Sequence, residues 1–370
     1  MEYTEYELGE LLLYEQPTAY IVNSTEYNDS YDIPVLTAGK SFILGYTNEK
    51  EGIFDALPVI IFDDFTTAIQ YVNFKFKVKS SAMKILHVNK ELVLPKYIFY
   101  RMNIIQFDHS THKRYWIQQY SKIKIKIPPL AEQERIVARI EELFSELDKA
   151  VETLQTTKRQ LEVYRQAVLK EVFGTVTQYV PLGTVSESRL GKMLDKKKNI
   201  GTYRQYLRNQ NVRWFSIDES DLLEMRFEDK ELEKYSLKAG DLVICEGGEP
   251  GRCAVWDKDE SICYQKALHR VRFYRGANPK LYMYYFWFLA QTGELGSYYT
   301  GTGINHLTGE SLVKVCVPDI EVEQQTRLVE IIESRLSVCD SIEQTVDTAL
   351  SQADALRQSI LKEAFEGRLA

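Results

Sequence analysis

Two long stretches of this 370-residue chain carry the same heptad pattern, and that duplication limits the folds open to it. The first, IPPLAEQERIVARIEELFSELDKAVETLQTTKRQLEVYRQAVLKEVFG, covers residues 127–174; the second, VPDIEVEQQTRLVEIIESRLSVCDSIEQTVDTALSQADALRQSILKEAFEG, covers 317–367. From Arg135 onward they align without a gap at a shift of 192 residues, with Arg135 on Arg327, Ile140 on Ile332 and Asp148 on Asp340. The endings match more closely still: Arg165, Gln166, Leu169, Lys170, Glu171 and Phe173 fall on Arg357, Gln358, Leu361, Lys362, Glu363 and Phe365.

Spacings of four and three alternate through Ile136, Ile140, Leu143, Leu147, Ala150, Leu154, Thr157, Leu161, Tyr164 and Val168, the seam of a coiled coil. The second copy continues it at Leu328, Ile332, Cys339, Ile342, Val346, Ala349, Ala353, Leu356 and Ile360, broken only by Arg335. Pro128, Pro129 and Pro318 precede the helices and Gly174 and Gly367 follow them, as helix starts and stops require. A helix of this kind, about 43 residues long, extends about 65 Å. Small or polar seam positions such as Ala150, Thr157 and Ala349 bury little, so a lone helix is unstable in water. The two helices are therefore expected to pack on each other, in an orientation the seam does not choose.

Fainter echoes precede each helix. YELGEL at 6–11 resembles VPLGTV at 180–185, LPVIIFDD at 57–64 resembles GDLVICEG at 240–247, and LPKYIFYRM at 94–102 stands where NPKLYMYYF does at 278–286. Short β-branched and aromatic runs predict an α+β chain: two related globular domains alternating with two long helices, an internal pseudo-two-fold repeat. The expected boundaries are 1–127 for the first domain, 128–174 for the first helix, 175–317 for the second domain and 318–370 for the second helix.

A net charge of -7 argues against nucleic-acid binding only until it is divided by region. Residues 1–70 hold 2 basic and 13 acidic residues, whereas 71–126 hold 12 basic and 2 acidic. Lys75, Lys77 and Lys79 alternate along a predicted strand and so share a face, and Lys84, Lys113 and Arg114 add to the same block. In the second domain RLGKMLDKKKNIGTYRQYLRNQNVR, residues 189–213, carries Arg189, Lys192, Lys196, Lys197, Lys198, Arg204, Arg208 and Arg213 against one Asp, with Tyr203, Tyr206, Trp214 and Phe215 interleaved or adjacent. Lysine and arginine neutralise phosphates, while Arg204, Gln205, Arg208, Asn209, Gln210 and Asn211 are types that pair with purine edges. Gln265, Lys266, His269, Arg270 and Arg272 take the place of the first domain's lysine block. The plain alternatives are a lysine-protected edge strand and a solvated basic loop.

Other chemistry finds less support. EGGEPGR at 246–252 and GTGINHL at 301–307 lack the spacing of phosphate loops and are predicted as tight loops. Asp63 and Asp64 read as turn residues rather than a catalytic metal site, and His109 and His112 as no metal site. Five cysteines without close CxxC spacing argue against both zinc and a disulfide framework, and point to a reducing, cytoplasmic compartment. The acidic N-terminus is unlike a secretory signal, and LYMYYFWFLA at 281–290 is about half of a membrane-spanning length. No catalytic or metal-ligating residue is assigned.

The order of segments, the entries IPPLAEQERIV and VPDIEVEQQTRLV, and the closings RQAVLKEVFG and RQSILKEAFEG resemble the specificity subunit of type I restriction-modification systems. The resemblance covers nearly the whole chain; the second entry departs from the first in VPDI and in one extra residue. It implies two target recognition domains, each reading one half of a bipartite double-stranded DNA sequence. The helices would pack as an antiparallel coiled coil, set the spacing and dock two methyltransferase subunits. It implies no catalysis and no cofactor in this chain, with S-adenosylmethionine, ATP and Mg on the methyltransferase and restriction subunits. The competing expectation is a coiled-coil adaptor that joins protein partners without reading DNA.

Overall fold

A computed structural model describes residues 3–37, 41–106, 115–195, 197–301 and 303–369. The chain divides into two compact units, Met1–Leu154 with Thr348–Ala370, and Gln155–Asp347.

The first unit runs β1 (Thr4–Glu7), α1 (Leu8–Leu11), β2 (Leu12–Glu15), β3 (Ile33–Leu36), β4 (Ile43–Thr47), β5 (Val59–Asp63), β6 (Ile69–Val72), β7 (Lys77–Val78), β8 (Met83–Val88), α2 (Pro95–Met102), α3 (Tyr115–Gln118), β9 (Lys124–Ile127) and into α4 (Leu130–Phe173). Its sheets have the orders β2-β8-β5-β6 and β4-β3-β7, with β3 parallel to β7, and β1 pairs with β9. The second unit runs β10 (Tyr179–Pro181), α5 (Leu182–Val185), β11 (Ser186–Leu190), β12 (Thr202–Leu207), β13 (Leu223–Phe227), α6 (Leu232–Tyr235), β14 (Asp241–Cys245), β15 (Cys253–Trp256), β16 (Cys263–Tyr264), β17 (Leu268–Phe273), α7 (Pro279–Thr292), α8 (Gly309–Leu312), β18 (Cys316–Pro318) and into α9 (Val322–Phe365). Its orders are β11-β17-β14-β15 and β13-β12-β16, with β12 parallel to β16, and β10 pairs with β18. The second unit thus repeats the first strand for strand, and the α+β expectation holds.

The central strand shows why each unit needs two sheets. Every side chain of β5, VIIFD, is buried, as is every one of β14, DLVIC. Because alternate side chains point to opposite faces, Ile60 and Phe62 pack with Tyr97, Ile98 and Met102 of α2, while Val59 and Ile61 pack with Leu36 and Val78 of the smaller sheet. In β14, Leu242 and Ile244 face α7, and Val243 and Cys245 face Leu207 and Tyr264. The apolar run at 281–290 is α7: Leu281 through Phe286 are buried in this core, and Gly293 at φ +78° ends the helix. Among the described residues no helix is long and apolar enough to cross a membrane.

Both long helices have 44 residues. Within the first unit Ile140 packs with Leu361 and Ala364, and Asp148 ion-pairs with Arg357. Within the second, Lys158 pairs with Asp347, Arg165 with Asp340 and Glu171 with Arg335, each at 2.7 Å. Numbers rise along one helix as they fall along the other, so the helices pair antiparallel in each unit.

The seam differs from its sequence reading in one of its two rows. Ile140, Leu161, Leu328, Ile332, Val346 and Ile360 are buried, and Ile136, Leu143, Leu147 and Leu154 are half-buried. Ile342 and Leu356, however, are 40% and 50% exposed. Their row lies one residue further on, at Leu336, Glu343, Arg357 and Ala364 in α9 and at Phe144, Lys158, Arg165 and Val172 in α4. A search for apolar spacing passes over these positions because Lys158, Arg165, Glu343 and Arg357 are charged and join the two helices through ion pairs.

Each unit is tied to its helix by one buried glutamine. Gln133 of α4 accepts a hydrogen bond from Leu94 N at 2.8 Å, at the start of α2, and donates to Leu92 O and Pro128 O. Gln325 of α9, 192 residues later, accepts from Asn278 N at 2.7 Å, at the start of α7, and donates to Ile320 O. An exposed pair repeats as well, Lys96 with Glu141 and Lys280 with Glu333.

Candidate nucleic-acid interface

Of the first unit's lysine block, part is on the surface and part is not. Lys75 and Lys79 are exposed, but Lys77 is only 2% exposed, so the three do not share an open face. Lys77 Nζ donates to Glu51 O at 2.6 Å and pairs with Glu49 at 3.1 Å. Although burial opposes it, hydrogen bonds from Ser24, Lys77 and Asn23 hold the Glu49 carboxyl below the usual range. Lys84, 3% exposed on β8, bonds Gln16 and lies 3.6 Å from Asp64. An ammonium inside a unit has to be paired there, which corrects the placement of Lys77 and Lys84 on a DNA-facing surface. Lys113 and Arg114, like His109 and His112, lie outside the described residues.

The second unit sorts its candidates in the same way. Lys192 is buried, with Nζ on Arg226 O and Glu231, over the Phe227 ring. Asn211 is buried, holding Arg208 N, Asp218 O and Asp221 O. Arg270, 2% exposed, reaches Glu187 and the carbonyls of Glu233, Lys234 and Ser236. His269 is 1% exposed. These four are interior groups, a correction to their reading as DNA contacts. Others are at the surface but engaged: Arg189 with Glu187, Arg204 with Asp229, Arg208 and Gln210 with Asp221, Asn209 with Gly247 O, and Arg272 bidentate on Asp241. The Asp241 hydrogen bond raises the Arg272 pKa further, against burial.

Lys197, Lys198, Gln205, Arg213 and Lys266 remain exposed, with Gln265 half-buried and Lys196 outside the described residues. Lys198 is 86% exposed and only 3.9 Å from Asp195, a weak tether. The pairing of β12 with β13 sets Tyr203 opposite Arg226, whose guanidinium lies 4.9 Å from the exposed Tyr203 ring. Gln205 is two residues on, hence on the same face. This Tyr203–Arg226 stack escapes sequence reasoning because the residues lie far apart in the chain; the basic run flags only Tyr203.

The acidic pair has turn and anchoring roles. Asp63 Oδ1 accepts from Phe65 N at 2.8 Å, and Asp64 Oδ1 from Trp116 N at 2.8 Å. Among the described residues no group of three or more His, Cys, Asp or Glu is placed to hold a metal ion. Burial pushes the Cys245 and Cys263 thiols up to about 11 and Cys253 well above the ordinary value, so all three are protonated at neutral pH.

Residues 1–162 match the family model of the type I restriction modification DNA specificity domain. Over 221 residues the chain is 42% identical to the EcoR124I/EcoR124II specificity subunit of Escherichia coli, covering 56% of this chain and 53% of that one. Residues 1–162 thus match a type I specificity domain, and the chain is similar in sequence to type I specificity subunits. A second such subunit, EcoKI of Escherichia coli K12, is 27% identical over 272 residues, covering 68% of this chain and 58% of that one. The chain spans a little over half the length of these two curated relatives. In fold it is similar over 99% of its length to a chain from a structure on complex assembly and conformational transition of the type I R-M system, at a TM-score of 0.74 and 19% identity, covering 98% of that chain. It is also similar to the HsdS subunit of Thermoanaerobacter tengcongensis, at a TM-score of 0.54 and 18% identity, covering 99% of this chain and 97% of that one.

Proposed function

We propose that this chain is the sequence-reading, non-catalytic subunit of a type I restriction-modification complex, and that each unit reads one half of a bipartite double-stranded DNA target. The observation that carries this is the repeat itself. Two units of one topology are fastened to the long helices by equivalent glutamines, yet they present different outer faces. In the second unit Tyr203, Gln205, Arg226, Lys197, Lys198, Arg213 and Lys266 supply stacking, hydrogen-bonding and phosphate-neutralising groups. In the first, Lys75 and Lys79 are exposed and supply phosphate-neutralising charge.

The helices are proposed to fix the gap between the half-sites and to dock two methyltransferase subunits. In the first unit Tyr100, Glu141, Phe144, Asp148, Arg357 and Gln358 line a groove of about 600 Å³. In the second, Tyr284, Glu333, Leu336, Asp340, Arg165 and Gln166 line one of about 820 Å³. The helix residues in these two sets correspond at the shift of 192, which suits two copies of one partner. S-adenosylmethionine, ATP and Mg then belong to the methyltransferase and restriction subunits, and the complex acts in the cytoplasm. Selection of bound DNA from a randomised library by the chain with its methyltransferase subunits tests the proposal. A split sequence is the expected result; a stable complex without sequence preference makes the chain a coiled-coil adaptor instead.

A further inference from the structure

Leu307 of the second unit is held from three directions. Its side chain is fully buried in the core, its N–H donates to Glu246 O at 2.7 Å, and its carbonyl accepts from His269 Nε2 at 3.0 Å. His269 is on β17, opposite Ile244, and burial pushes its imidazole below the ordinary pKa. A neutral ring can make this bond only with the proton on Nε2.

The residues just before Leu307 face outward. Ile304 is 71% exposed, and Asn305 and His306 are exposed. His306 exchanges both backbone hydrogen bonds with Thr300 at 2.9 Å, and its ring lies where a Cβ on Gly247 would come within 3.0 Å of Nδ1. Gly247 O in turn accepts from Asn209 Nδ2 at 2.7 Å, and Tyr299 OH donates to Pro250 O at 2.8 Å. Two glycine-bearing stretches that contain no phosphate-loop spacing are thus joined into one edge of the unit, its outer side chains attached to a fixed backbone point.

We propose that Ile304, Asn305 and His306 are specificity-determining residues of the second unit, meeting base edges of double-stranded DNA, and that His269 is a positioning residue that sets them through Leu307. The proposal rests on the DNA-reading function above. An amide at Asn305 suits adenine N6 and N7, and an apolar Ile304 suits a thymine methyl or an opened base step. The two units differ at this point. The residue of β8 that occupies the place of His269 is Lys84, opposite Phe62, and it lies beside Asp64, which fixes Trp116. A change at His269 should therefore act on one half-site alone.

The test is library selection by the full chain bound to its methyltransferase subunits, for His269→Leu, His269→Gln and Asn305→Ala. His269→Leu is expected to lower enrichment of one half-site about tenfold while the other stays at the wild-type level. His269→Gln, which restores an N–H donor, should recover it, and Asn305→Ala should change base preference within that same half-site. Asn305 is exposed, so its variant decides the matter if His269→Leu does not fold. Unchanged half-sites in the Asn305 variant, equal weakening of both half-sites by His269→Leu, or no recovery by the Gln variant overturns the proposal. Wild-type protein that selects no sequence overturns the DNA-reading function itself.

Discussion

The helical frame and the two units it carries have diverged to different extents. In the frame, contacts recur between equivalent residues: Arg357 on Asp148 and Arg165 on Asp340, Lys96 on Glu141 and Lys280 on Glu333, Gln133 and Gln325 on the residue just before a domain helix. In the units the strand order recurs, but the polar groups inside do not; Lys84 beside Asp64 in one becomes His269 on a backbone carbonyl in the other. Attachment is fixed and outer surface is free to vary, the division of labour expected of a part that holds geometry and a part that reads sequence.

That contrast can be broken most forcefully at the glutamines. Gln325→Leu leaves Asn278 N–H and Ile320 O without their partner, and should destabilise the second unit by roughly 2 to 3 kcal/mol. Gln133→Leu should do the same to the first unit, and urea unfolding followed by hydrogen exchange locates the loss. Loss in the opposite unit, or in neither, would remove the equivalence of the two anchors. A smaller effect is expected at the proposed DNA-facing surface of the second unit. Lys197→Glu with Lys266→Glu should weaken DNA binding about tenfold or more at moderate salt and lower the log–log salt slope by about two, leaving unfolding midpoints unchanged. An unaltered slope would show that neither lysine meets a phosphate. Smallest is Arg357→Ala, which removes a partly exposed ion pair and should cost about 0.5 kcal/mol. Arg165→Ala, with Asp340 and Glu343 both in contact, should exceed it slightly.

The frame was readable because helix spacing and chain duplication are local signals that need no knowledge of packing. Even there one row differs from the apolar spacing: Ile342 and Leu356 are exposed, and the residues one position on, Glu343 and Arg357, meet a charged partner on the other helix. The antiparallel order came from the family resemblance and not from the seam. In the units the basic blocks overstate the available surface. Lys77, Lys84, Lys192 and Arg270 look free in sequence because Glu49, Asp64, Glu231 and Glu187 lie 20 or more residues away along the chain. Only the fold brings each pair together. The same distance hides the Tyr203–Arg226 stack and the join between Gly247 and His306.

The central claim is that the helices set a gap between two independently read half-sites. Deleting residues 153–159 and 345–351 together removes one heptad from each helix at equivalent positions and keeps the seam in register. Genome-wide mapping of modified bases, in cells carrying this variant with its methyltransferase subunits, returns both half-sites and their separation. Two unchanged half-sites with a gap about 3 base pairs shorter are the predicted result, since seven residues rise about 10 Å. An unchanged gap, or altered half-sites, would contradict it.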